Sequence, residues 1–502
     1  MAGLCLVLLL LVRRQARARQ AIVILSYLTG GLLISQSVNH PHPLWDKLPP
    51  REAIIELEVH DLFNARKPGR ICGTGQILRT DLPFDTINGR MTAFYLQSDA
   101  PSPPGSRFEC KAVLTYLPSL DDPDGYILYL KNRDIFLNLN RGIVLRQTGR
   151  PSRLERFRQV LFRKSQSLLG TGCESPDDPG HVLASMLLGN RSLLTDNRIS
   201  LYRLTGTYHL FAVSGLHVGS VALCLHWLCL LLRLPGTIRL MITLVITWGY
   251  VWLTGSSSSA VRAGIMISCV GLSRQVSRQP HLFPALVASA WIVLIWQPRQ
   301  LFSLGFQLSY AVVGAILLMG LPVARIFRQM LKDRKMVRGR EPTLKYLTRR
   351  TIGSLADLTL VSLAAGLASM PLIVQHFSLL TPAGPVLGVL LNPLATYCVM
   401  AGSITLLAGL PTSLHAGWIA VIAWPAIHLM EATLKRAITV PEAFSHRNWE
   451  WPPTGTFLLL AALGLAWFLQ HRLQNGKGWV ALSHFLPHAL LIVGLSYTKV
   501  QT

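Results

Sequence analysis

From residue 210 onward, apolar runs of membrane-spanning length follow one another, and between Asp196 and Asp333 no Asp or Glu interrupts them. A backbone leaving water must satisfy its own N–H and C=O groups, so runs of this kind fold as membrane helices. Half of the residues are apolar and only 14% are charged, which excludes a soluble globular fold. Candidate spans lie near residues 1–12, 21–36, 210–232, 238–254, 260–273, 281–297, 301–327, 352–374, 385–410, 414–434, 455–470 and 479–497. The expected class is a polytopic α-helical membrane protein of about 10–12 spans. Met1 to Val12 reads as the first helix of a pair, since no small-residue cleavage site precedes the second apolar run.

Charge placement sets the topology. Arg13, Arg14, Arg17 and Arg19 separate the first two spans, Arg233 and Arg239 follow the third, Arg274 and Arg278 the fifth, and Arg472 and Lys477 the eleventh. The largest basic block, Arg325 to Arg350, follows the seventh and holds only Asp333 and Glu341 as acids. With all these loops cytoplasmic, the positive-inside rule is met by one consistent count for a multi-pass plasma (inner) membrane protein. Residues 37 to about 200 then lie outside the cytoplasm.

That outer segment has the period of strands. Ala53, Ile55, Leu57 and Val59 alternate with Glu56, Glu58 and His60, and similar runs occur at 91–97, 107–117, 126–139 and 142–147. Five or so strands in this length suit a small OB-like β-barrel, and a small sandwich would read much the same. From 37 to 140 there are 11 basic and 13 acidic residues, so the barrel by itself is no electrostatic trap for DNA. Tyr95 and Phe108 could stack bases, although aromatics in small barrels usually fill the core. Cys72 and Cys110 share this extracytoplasmic segment, where an oxidising environment favours a disulfide between them. Cys5, Cys224, Cys229, Cys269 and Cys398 fall in spans as small apolar residues, and Cys173 is left over outside.

Much of the basic excess begins after the barrel. Arg141, Arg146, Arg150, Arg153, Arg156, Arg158, Arg163 and Lys164 surround Leu154, Phe157, Val160, Leu161 and Leu168, the pattern of an amphipathic helix on a lipid surface. Guiding a polyanion toward the membrane is the other reading of this helix. The formal net charge of +24 suits either partner, the lipid bilayer or nucleic acid.

The missing carboxylates bear on cargo. Cation paths and proton-coupled carriers place acidic groups at mid-membrane, so a window without them suits an anion, while membrane helices in general also avoid acids. Within it, Trp248 to Met266 reads WGYVWLTGSSSSAVRAGIM. Ser256, Ser257, Ser258 and Ser259 interrupt the apolar pattern, and Ser259 is placed to cap a helix starting at Ala260, with Arg262 in its first turn. Backbone donors, a positive dipole end and a guanidinium together favour phosphate; the other reading is an arginine that snorkels to headgroups.

Upstream, Leu204 to Gly219 reads LTGTYHLFAVSGLHVG, with His209, Ser214, Gly215 and His217 at the opening of a membrane helix. This run resembles the signature of the ComEC family of competence DNA channels. So do SMLLGNRSLL at 185–194, LTGSSSSAVRAGIM at 253–266, PRQLFSLGFQLSYAVVGA at 298–315, the run from 369 to 396, and PDGYILYLKNRDI at 123–135 in the barrel, in matching order over most of residues 50 to 410. The resemblance implies an inner-membrane channel that takes up single-stranded DNA in natural transformation. The corresponding division is 1–36 N-terminal membrane helices, 37–150 barrel, 151–200 basic amphipathic connector, 201–434 competence-type channel domain and 435–502 C-terminal membrane helices. Carried over by position, His209, Ser214, Gly215, His217, Ser256 to Ser259 and Arg262 are candidate pore or packing residues.

The chain also departs from the family pattern. Asn190 stands where the family commonly has an acid, and the expected form lacks the C-terminal metallo-β-lactamase-like domain, so strand degradation would fall to a separate nuclease. His40-Pro-His42 lacks the Asp-His completion of such a metal site, and no metal or cofactor is expected. There is no Gly-x-x-x-x-Gly-Lys-Ser/Thr loop, so a cytosolic ATP-driven helicase or translocase and an external DNA receptor are the expected partners. The alternatives are a transporter of another anionic or lipid substrate and an intramembrane Ser214/His217 hydrolase. The hydrolase would need Asp357 or Glu431 to orient a histidine, and a channel rather than an enzyme is expected.

Overall fold

The computed structural model describes residues 50–63, 69–82, 87–98, 104–117, 127, 130, 135–275, 282–297, 300–301, 303–333, 343–377, 384–412 and 417–439. The expected spans at 1–12, 21–36, 455–470 and 479–497, and the His40/His42 pair, lie outside these residues.

Strands β1 (Arg51–Phe63), β2 (Arg70–Thr80), β3 (Met91–Gln97), β4 (Arg107–Tyr116) and β5 (Leu137–Gly149) form a closed barrel in the order β1-β2-β3-β5-β4. The β3–β5 pair is parallel and the others antiparallel, the topology of an OB-like barrel. Ala53, Ile55, Leu57 and Val59 point inward as their alternation requires, joining Ile77, Phe94, Leu96, Phe108 and Leu139 in the core. Outward, Glu58 pairs with Arg107 at 2.9 Å and Glu109 with Arg146 at 2.6 Å across neighbouring strands. Phe108 is core, edge-on to Phe94 at 6.0 Å, while Tyr95 lies under the Arg70 guanidinium.

Two strand assignments change. β2 carries no apolar alternation because glycines fill its close approach to β1. A Cβ on Gly73 would collide with the Asp61 carbonyl oxygen, and one on Gly75 would stand 2.6 Å from that of Glu58, beside the β1 bulge at Val59/Asp61. The runs at 126–139 and 142–147 are not two strands. Ile127 and Leu130 are helical, Leu130 is fully buried, and Leu137–Gly149 is one strand.

The expected Cys72–Cys110 bridge does not form. Cys72 on β2 lies opposite Phe63 and Cys110 on β4 opposite Ile55, eight residues apart along β1. At about 3.3 Å per residue the separation is roughly 26 Å, far beyond disulfide reach. Burial, with Glu109 adjacent, pushes the Cys110 thiol up to about 12.

Helix α1 (Arg153–Leu169) starts at Ser152, whose hydroxyl accepts the Glu155 N–H at 3.1 Å. Its Leu154, Phe157 and Val160 are more than half exposed, and Phe157 stacks on Trp252 at 6.5 Å. The following segment, the second half of the 151–200 connector, folds inward as α2 (Pro179–Leu188), of which every residue but His181 is buried. Short α3 (Asp196–Leu204) leads to α4 (Gly215–Leu231), α5 (Gly236–Leu253), α6 (Ser258–Gln275) and α7 (Leu282–Trp296). Next, α8 (Leu304–Ala315) continues through a π-turn at Ile316–Gly320 into α9 (Leu321–Asp333), followed by α10 (Thr343–Phe377) and α11 (Gly384–Thr412). The last described span is broken into α12 (Gly417–Val421) and α13 (Trp424–Ala437).

Among the described residues four stretches are long and apolar enough to cross a membrane: Gly236–Leu253, Leu304–Arg325, Val386–Leu410 and Gly417–Ala437. Shorter apolar helices cover Gly215–Leu231, Leu282–Trp296 and Ala356–Met370. Lipid provides no hydrophobic drive between helices, so they associate through small residues. On α11, Ala395, Cys398, Ala401 and Gly402 form such a face, and a Cβ on Gly402 would lie 2.7 Å from Leu187 of α2. The same core is clamped by an ion pair in which Arg198 of α3 meets Glu431 of α13 at 2.8 Å, both side chains about nine-tenths buried.

Candidate anion site between the membrane helices

The two sequence blocks around Ser214 and Arg262 meet at the starts of α4 and α6. Helix α5 ends in a left-handed turn, with Gly255 at φ 84° and Ser256 at φ 51°. The Ser257 hydroxyl then donates to the Val213 carbonyl at 3.3 Å, tying the head of α6 to that of α4. Ser257, not Ser259, occupies the cap: its Oγ lies 3.4 Å from the Ala260 N–H, and the helix opens at Ser258. Arg262 therefore stands in the second turn rather than the first, with Ser259 a turn nearer the helix start.

Arg262 is 4% exposed. Its Nη2 donates to the Gly305 carbonyl at 2.8 Å in the first turn of α8, while Nε and Nη1 have no partner among the described residues. A cationic side chain costs roughly 2.5–3.5 kcal/mol at the centre of a membrane helix and less toward its end, and Arg262, in the second turn, leaves two buried donors without a protein partner among the described residues. The Arg262 side chain lines a cavity of about 590 Å³ between α4, α5, α6, α7 and α8. Gly215 and Gly219 keep its α4 wall shallow; Thr243, Ser259, Ser289 and Tyr310 add hydroxyls near Arg262 or across from it. His226, Arg239, Arg274 and Gln275 also line it. Arg262 and Arg274 are twelve residues apart on α6, about 18 Å along its axis. No Asp or Glu is among the lining residues. Most of the wall is apolar, with Leu223, Leu240, Met266, Ile267 and Val313 among its residues, and the hydroxyls and guanidiniums set in it without a carboxylate are what suit it to an anion.

Of the residues expected at the site, Gly215, Ser259 and Arg262 reach the cavity. Ser214 and His217 instead form a cap: the Ser214 N–H donates to His217 Nδ1 at 3.1 Å, with Ser214 Oγ 2.8 Å from the same nitrogen. His217 is buried, and Nδ1 as acceptor leaves the ring proton on Nε2. His209 is exposed in the preceding turn, where its Nδ1–H donates to the Gly206 carbonyl at 3.1 Å. Ser256 and Ser257 build the turn and cap ahead of α6, and Ser258 is its first residue. The carboxylates that a hydrolase would need are engaged elsewhere, Glu431 with Arg198 and Asp357 with Arg328. Among the described residues no cluster of His, Cys, Asp or Glu could hold a metal ion.

In the sequence Arg239 and Arg274 read only as topology markers, Ser289 carries no signal of its own, and Tyr310 lies in the 298–315 block without being singled out. Ser289 and Tyr310 lie on different helices with their hydroxyls 3.2 Å apart, a pairing no local pattern announces.

These features define a helical membrane protein carrying an OB-like barrel and a carboxylate-free cavity. The chain belongs to the Competence protein family, whose model matches residues 186–473, nearly all of the helical part described above. It is 28% identical over 246 residues to ComE operon protein 3 of Bacillus subtilis (strain 168), covering 49% of this chain and 28% of that protein. It is also 28% identical over 143 residues to the uncharacterized protein YcaI of Escherichia coli (strain K12), covering 27% of this chain and 19% of the relative. The chain thus matches less than a third of either relative's length. No solved structure matches it.

Proposed function

We propose that this chain is an inner-membrane channel that passes single-stranded DNA into the cytoplasm during natural transformation. The observation that carries the reading is Arg262, buried in the membrane domain with two unpartnered donors at a cavity free of carboxylates. A phosphodiester supplies the acceptor oxygens such donors lack and the negative charge the cavity favours. Family membership supports the same cargo. Transport would be driven by a cytosolic ATP-dependent helicase or translocase, and DNA delivered by an external receptor. The barrel and the exposed face of α1 would stand at the outer surface, with the basic residues of α1 toward acidic lipid headgroups.

The cavity size favours a second reading. About 590 Å³ lies within the range of small-molecule pockets, so a small organic anion or lipid headgroup would also fit. One experiment separates the two. Labelled linear DNA is offered to the host and to a strain lacking this chain, and surface-bound and cytosolic label are scored apart. Loss of cytosolic label with surface label retained is the expected result. Unchanged cytosolic label in a competent host would move the function to another anion.

A further inference from the structure

Two of the blocks that resemble the competence family meet outside the cavity. Arg191 opens a short 3-10 turn after α2, and Arg203 stands in the last turn of α3. Both guanidiniums pack on the ring of Tyr208, with their central carbons 4.6 Å and 5.0 Å from its centroid. The ring is itself backed by Phe211 at 6.2 Å, and Phe211 is fully buried against Tyr202. The two charges are therefore held on a platform anchored in the core.

Among the described residues no carboxylate lies within ion-pair distance of Arg191 or Arg203, and neither side chain makes a hydrogen bond. Of the acids close in sequence, Asp178 accepts the N–H groups of Glu174 and Ser175 and Asp177 the Thr195 hydroxyl, while Asp196, exposed in the first turn of α3, makes no ion pair with either arginine. Like charges on one ring repel, and a bridging anion would relieve them. Arg203 and His209 are exposed and Arg191 is half-buried, so a ligand can reach the pair from solvent. Five residues after Tyr208 the chain reaches Val213 and then α4, whose Gly215 lines the cavity.

We propose that Arg191, Tyr208 and Arg203 form an outer phosphodiester-binding station, where single-stranded nucleic acid docks before it reaches Arg262. The guanidiniums take backbone phosphates, and their planes, laid against Tyr208, also offer stacking faces to a base. The assignment rests on the reading of the cargo as DNA and adds a second station with different residues.

The test uses the full chain in neutral-lipid nanodiscs and a fluorescent oligothymidylate, with affinity measured against salt. R191Q/R203Q should lower affinity about tenfold and flatten the slope of log K against log salt by about 1.4, since each phosphate left unneutralised removes ~0.7 from the slope. R191K/R203K keeps the charges and should keep the slope, which separates loss of charge from loss of fold. Wild-type binding that the glutamine variant matches in affinity and slope would overturn this station alone. Wild-type discs that bind no oligonucleotide at low salt would overturn the station and the DNA reading together.

Discussion

Arg262 and Gly305, forty-three residues apart, are joined by a 2.8 Å hydrogen bond that ties the second turn of α6 to the first turn of α8. The bond uses one of the three guanidinium nitrogens and leaves the other two buried, on a side chain that lines the cavity. Arg262 thus combines a structural contact with two buried donors that have no partner among the described residues.

Arg262→Ala should lower cytosolic DNA uptake by about 10- to 100-fold, the loss of a charge-assisted contact of roughly 1.5–3 kcal/mol, without changing membrane insertion. Uptake is scored at matched protein level in membrane fractions. Equal uptake by the mutant would count against a phosphate contact at this residue.

Arg198 and Glu431 form a nine-tenths buried pair between α3 and α13, and Arg198 also donates to the Asp178 carbonyl at 3.1 Å. Removing one charge strands the other, so Arg198→Met or Glu431→Leu should each destabilise by about 3–5 kcal/mol. The R198M/E431L double variant should recover part of that loss. Thermal unfolding in detergent of the two singles and the double checks the cycle, and additive losses would show that the two residues do not interact.

Gly73→Ala should destabilise the barrel by about 1–3 kcal/mol or more, because the added methyl meets the Asp61 carbonyl across the β1 bulge. Gly69→Ala has open space but a positive φ of 72° and should cost less. Limited proteolysis of the outer segment reports the difference, with Gly73→Ala cleaved first.

The Cys110 thiol is buried and raised to about 12, so its thiolate is scarce at neutral pH and appears only toward strong alkali. Cys110 should resist alkylation at pH 8 in the folded protein and react fully in denaturant. Mass spectrometry with and without reductant should show no Cys72–Cys110 crosslink, and a reductant-sensitive crosslink would contradict the barrel register.

Much of the architecture was legible because its signals are local. The alternation of Ala53, Ile55, Leu57 and Val59 declared an inward strand face, and the apolar lengths of 238–254 and 385–410 declared helices that the structure places within a few residues. β2 was hidden because Gly73 and Gly75 answer to the β1 backbone across the sheet, which removes the apolar signal such a strand would carry. Ser259 looked like a cap because four serines run together, and only the contact with Val213 selects Ser257. The pattern of α2 gave no sign that α11 and α13 would bury it.

By itself the sequence determined the class of protein, its membrane helices and its barrel, since transfer from water to lipid and strand pleating act on each segment separately and leave a period in the residues. Only the tertiary structure decided that Cys72 and Cys110 stand about eight residues apart along β1, that His217 turns back to cap its own helix, and that Arg262 shares a cavity with Arg239 and Arg274. Those outcomes depend on helix rotation and strand register between distant segments, where packing of small residues, not local pattern, sets which side chains meet.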